Sequence, residues 1–172
     1  MTVKTVEAAK RRLKQIEAAT WIFTHAVGLM EVDGWFGRGP DHAGLSKCTV
    51  LMPNGSGGTY EEDVCFNGGA VCAGIAIDFA AQRYAAPRRW NKTKVKDLAY
   101  RHLDLFQTLN GREPNSGLFR GIATWNDYEV TNYEDMKEAF GTALKALTRE
   151  KADLIVAFFP KAGNWVAQRT VT

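Results

Sequence analysis

A thiol three residues ahead of Gly68-Gly69, where a helix is expected to begin, is the residue of this sequence whose position best suits it to chemistry. The positive end of a helix dipole lowers a thiol pKa and favours the nucleophilic thiolate, so Cys65 is a candidate for acyl transfer or hydrolysis. His25, His42 and His102 are the histidines available as a base, with Asn126 or Asp127 to orient one of them. The competing reading makes Cys48, Cys65 and Cys72 small buried hydrophobes, as unpaired cysteines usually are. No local signature supports catalysis, and the second reading is preferred.

Metal and phosphate chemistry are weaker candidates. His42, Cys48, Cys65 and Cys72 are of ligand type, but their irregular intervals contain no paired clamp of the kind structural zinc sites use. No metal and no cofactor are expected. The run Asn54-Gly55-Ser56-Gly57-Gly58 lacks the Lys-Ser/Thr of a P-loop, and Asn67-Gly68-Gly69 could hold an anion only on backbone amides.

Two further groups read as binding surfaces. Trp35, Phe36 and Arg38 fall in a Gly-rich loop, and Trp and Arg are favoured at interfaces. The alternative is that Trp35 and Phe36 fold back beneath the first helix. Trp125-Asn126-Asp127 forms either an Asx-type reversal or a polar site. Basic residues cluster at Lys10-Arg11-Arg12-Lys14 and from Arg88-Arg89 to Lys96. They read first as solvated helix faces, and nucleic-acid binding through them requires both segments to share one face.

The elements that must position these residues follow from periodicity. Val6, Ala9, Leu13, Ile16, Thr20, Phe23, Val27 and Met30 form one stripe, predicting a long helix over residues 4–32. Its opposite face is charged up to Ala18 and apolar beyond, so the C-terminal half should enter the core. The same stripe offers a seam for self-association. A hairpin is expected over 47–66, a central helix of small residues over 70–83, and helices over 93–109 and 132–149. The last is introduced by a capping box at Thr131 and Glu134. Asp153 to Phe159 and Trp165 to Val171 read as a second hairpin over 153–171, since Pro160 and the β-branched residues favour strands. The fold class expected is α+β: a mainly helical single domain of 172 residues with one or two peripheral β-hairpins.

Composition narrows the setting. An apolar fraction of 45% and a charged fraction of 24% are those of a globular protein, and the net charge of +3 is weak for a nucleic-acid binder. A start without an apolar stretch predicts no secretory signal, no run is long enough to span a membrane, and three widely spaced cysteines fit a reducing, cytoplasmic compartment.

Three short motifs carry a resemblance. Gly34-Trp35 at the end of a helix, Cys65 with Gly69-Ala70 at a helix start, and Trp125-Asn126-Asp127 with Thr131 and Glu134 together resemble the DUF6197 family, over roughly residues 15 to 148. That family comprises small proteins of actinobacteria and their phages without an established function. The resemblance implies a bacterial or phage accessory protein acting in the host cytoplasm or virion. It also implies that Trp35, Cys65 and the Trp125 motif belong to one shared feature. Taken together, these readings favour a non-enzymatic interaction module with a protein partner. A Cys65-dependent enzyme and a nucleic-acid binder are the alternatives.

Overall fold

The computed structural model describes residues 4–35, 46–53, 59–66, 71–113, 122, 125–130 and 132–160. Four main helices organise them: α1 (Val6–Asp33), α2 (Ala73–Ala85), α3 (Lys92–Leu109) and α4 (Tyr133–Phe158). Each start has a local cause. Thr5 caps α1 by accepting from the Ala8 amide at 3.2 Å, and Asn91 caps α3 by accepting from Lys94 N at 2.9 Å. The cap of α4 lies one residue later than the sequence pattern placed it. Asn132, not Thr131, accepts from the Asp135 amide, and its Nδ2 donates back to the Asp135 carboxylate.

Helix packs on helix throughout the described core. α2 packs against both α1 and α3. Ala73, Ala76, Ile77, Ala80 and Ala81 are fully buried, and side chains this small let α1 and α3 close on it from either side. α4 lies mainly along α1 and more lightly against α3. Where α1, α3 and α4 converge, Phe23, Phe106 and Phe140 interlock, with ring centroids 4.5 to 6.0 Å apart. Burying each of these rings stabilises the fold by roughly 1.5–3 kcal/mol. Ala9, Ile16, Phe23 and Met30 of the α1 stripe are buried in this same core, as is Ile22 of its second face.

The α+β expectation does not stand. Every described core residue comes from a helix or from the segments that join helices, and the fold is helical. Ser46–Pro53 (β1) and Thr59–Phe66 (β2) run antiparallel with Cys65 opposite Lys47, but one two-stranded ladder is not a layer of the core. The expected strand from Asp153 is also wrong, because α4 continues through Phe158. Leu154 lies two helical turns beyond Leu147 on the same buried face. That packing outweighs the few tenths of a kcal/mol by which Ile155 and Val156 disfavour a helix. Residues 161–172, which include the rest of the expected second hairpin, lie outside the described residues.

Candidate functional site

The sequence-derived site separates into a closed junction and residues the structure does not describe. Asn126 is fully buried within a single π-helical turn, Trp125–Glu129, which the Val130 amide closes by donating to Trp125 O at 3.0 Å. Its Oδ1 accepts from the Trp35 indole Nε1–H at 3.0 Å and from the Ala73 amide at 3.1 Å. Both partners are donors, which fixes the orientation of the side-chain amide. Asn126 therefore caps α2 from 53 positions away in sequence, where Cys72 at the N-cap position makes no side-chain capping bond. The backbone completes the junction, since Val71 N donates to Gly34 O at 2.9 Å and Trp35 bridges Val71.

Trp125 packs below this junction against Phe106, with centroids 5.4 Å apart. The Arg112 guanidinium lies 5.4 Å from the Trp125 ring centroid and pairs with Glu129 at the far end of the same turn. Trp35 and Asn126 thus meet, but as a structural strut with the polar atoms turned inward. Phe36 and Arg38 lie outside the described residues, as do the side chains of Cys65 and Asp127.

Cys65 does not stand at the start of a helix. α2 begins at Ala73 rather than at Ala70, and the backbone of Cys65 belongs to β2. The cysteine at the helix start is Cys72, which is half-buried. The two described histidines are each held by their own helix. His25 Nδ1 donates to Trp21 O at 2.8 Å while the ring stacks on Trp21, and His102 Nδ1 donates to Leu98 O at 2.7 Å. A carbonyl can only accept, so each ring carries its proton on Nδ1 in the neutral form. Burial, more than any neighbour, holds the His102 pKa below the ordinary histidine value, and Arg101 adds to that effect while the bond to Leu98 opposes it.

A second region was legible in the sequence only as two separate basic clusters. α1 and α3 meet at Phe23, His102 and Phe106 but stand apart toward the N-terminal half of α1, leaving an open groove of about 430 Å³. Arg12 and Lys14 of α1 form one wall, and Leu98, Arg101 and His102 of α3 form the other. Tyr84 and Trp90, at the turn from α2 to α3, close one end.

That turn is held in an unusual conformation. Arg89 adopts the left-handed region, at φ 51°, while its amide closes the short 3-10 turn by donating to Ala86 O at 3.0 Å. Left-handed backbone costs a non-glycine residue roughly 1–2 kcal/mol. This turn places Trp90 with its edge toward Tyr84 and 37% of its surface exposed. Arg88 stacks on Tyr84, 3.7 Å from the ring centroid.

The charges lining the groove are all positive. Arg12 is committed to Glu150 of α4 through two bonds of 2.6 and 2.7 Å, which tie α1 to α4. This pairing keeps the Glu150 carboxyl below its ordinary range. Lys14 and Arg101 are exposed and are not ion-paired among the described residues. The arrangement offers cations beside apolar side chains and an exposed indole, a combination that binds anions carrying a flat apolar group.

Among the described residues no group of three or more His, Cys, Asp or Glu side chains is placed to hold a metal ion, and no helix is long and apolar enough to cross a membrane. Comparison with family models, with curated proteins and with solved structures gave no match.

Proposed function

We propose that this protein is a non-enzymatic binding module whose ligand surface is the basic groove between α1 and α3, and that its ligand is anionic. The observation that carries this reading is the convergence on one groove of Lys14 and Arg101, two cations in no ion pair among the described residues, beside exposed Trp90. The Trp35 motif serves the fold, because its indole is spent on buried Asn126. The surface expected there moves to the groove. A role as a bacterial or phage accessory protein rests on the DUF6197 resemblance and is compatible with such a module.

The test is an NMR titration with inorganic tripolyphosphate, following indole and backbone amide resonances. The Trp90 indole and the amides around Lys14 and Arg101 should move, while the Trp35 and Trp125 indoles stay fixed. The double variant Lys14→Glu/Arg101→Glu should abolish the response with its circular dichroism unchanged. An undiminished response in that variant would show that the anion binds elsewhere.

A further inference from the structure

The groove combines two features that a simple anion site does not need. Its lining includes the apolar side chains of Ala18, Leu98 and Leu105 beside the exposed Trp90 indole. A phosphate alone gains nothing from either. A nucleobase gains from both, since every base has a face that stacks on an aromatic ring and edges that tolerate an apolar lining.

Cations also continue along both segments of sequence. On α1 the exposed Lys10 and Arg11 precede Arg12, although Lys10 pairs with Glu7 at 2.8 Å. Exposed Arg88, Arg89, Lys92 and Lys94 flank Trp90 in sequence. Arg12 and Lys14 of the first basic segment and Trp90, which falls within the second, line the same groove, so the two segments meet there. Cations on both sides of an exposed indole suit a chain of repeating phosphates and bases.

Resting on the reading of the groove as an anion site, we infer that its ligand is single-stranded nucleic acid. One base stacks on Trp90, and the flanking phosphates lie against Lys14 and Arg101. A duplex is disfavoured because its bases are already stacked and cannot reach an indole at the end of a groove. The volume of about 430 Å³ suits one nucleotide rather than a helix.

The experiment measures fluorescence anisotropy of a short labelled oligothymidylate with the intact chain. Competitors are the matching abasic oligomer, a duplex of the same length, inorganic polyphosphate and poly-glutamate. The variants are Trp90→Ala, Trp90→Phe and Lys14→Glu/Arg101→Glu. The inference expects the oligothymidylate to bind at least about ten-fold tighter than the abasic oligomer. Trp90→Ala should lose about ten-fold, within the range stacking on one aromatic residue provides, and Trp90→Phe should recover most of it. Binding should weaken steadily as salt is raised.

Equal binding of the abasic oligomer, the duplex or poly-glutamate would overturn the nucleic-acid inference. So would an unchanged affinity in Trp90→Ala. In either case, loss of binding in Lys14→Glu/Arg101→Glu would leave the groove standing as an anion site for another ligand. Wild-type affinity for every probe in that double variant would remove the groove reading itself.

Discussion

The Asn126 junction and the α1–α3 groove each set a tryptophan beside polar groups, yet they use these residues in opposite ways. At the junction the Trp35 indole donates to a fully buried amide, which also accepts from the first amide of α2. The bonds face inward and tie three distant segments together. In the groove Trp90 is 37% exposed beside Tyr84, and among the described residues Lys14 and Arg101 are in no ion pair. A tryptophan in a loop therefore says little by itself. What distinguishes a strut from a contact surface is whether its neighbours already satisfy it.

The comparison can be broken most forcefully at Asn126. Asn126→Leu should destabilise the protein by about 2–5 kcal/mol, because it leaves the Trp35 indole and the Ala73 amide buried without an acceptor. Thermal or urea unfolding measures this. A loss below about 1 kcal/mol would mean that the junction is not the strut described.

A smaller effect is expected at His102, which lies on the boundary between core and groove. Its folded pKa is below the ordinary 6.5, so between those values the unfolded chain binds more protons. The stability associated with neutral His102 is complete above pH 6.5 and is lost as pH falls through the window beneath it. In His102→Gln that pH dependence should flatten, as read by unfolding midpoints at a series of pH values. An unchanged slope between pH 6.5 and 5 would assign the dependence to other groups.

Below pH 4.5 a separate change is expected from Glu150, whose folded pKa is lowered by the bond to Arg12. The stability it contributes is present above 4.5 and lost as pH falls through the folded value. Because both side chains are partly exposed, Arg12→Ala should cost less than about 1 kcal/mol at neutral pH. A larger loss would make this pair the main fastening between α1 and α4.

A small effect on stability is expected where the effect on binding is largest. Trp90→Ala should change unfolding free energy by no more than about 1 kcal/mol, since Trp90 is 37% exposed and stands outside the buried core. If Trp90→Ala unfolds the protein as readily as Asn126→Leu, the two regions are not different in kind.

Much of the helical framework is legible in the sequence. The three-and-four spacing from Val6 to Met30, the small-residue run from Ala73 to Ala81 and the apolar face of 93–109 each reflect a helix that must bury one side. The tail was misread because Ile155 and Val156 carry only local preference, whereas the register of Leu147 and Leu154 is set by packing across α1. The candidate site was legible in part. The Trp35 and Trp125-Asn126 motifs do meet, but nothing in either motif says that the meeting is internal.

By itself the sequence determined the existence and approximate extent of the helices, their apolar faces and the two basic runs. These are local properties, read at spacings of three or four residues. Only the tertiary structure decided that Asn126 would cap a helix 53 positions away, that α2 would begin at Ala73, and that Lys14 and Arg101 would face each other across one groove. Those outcomes depend on which helices pack together and at what separation. That is settled by the fit of side-chain volumes across the whole core, and no short stretch of sequence contains it.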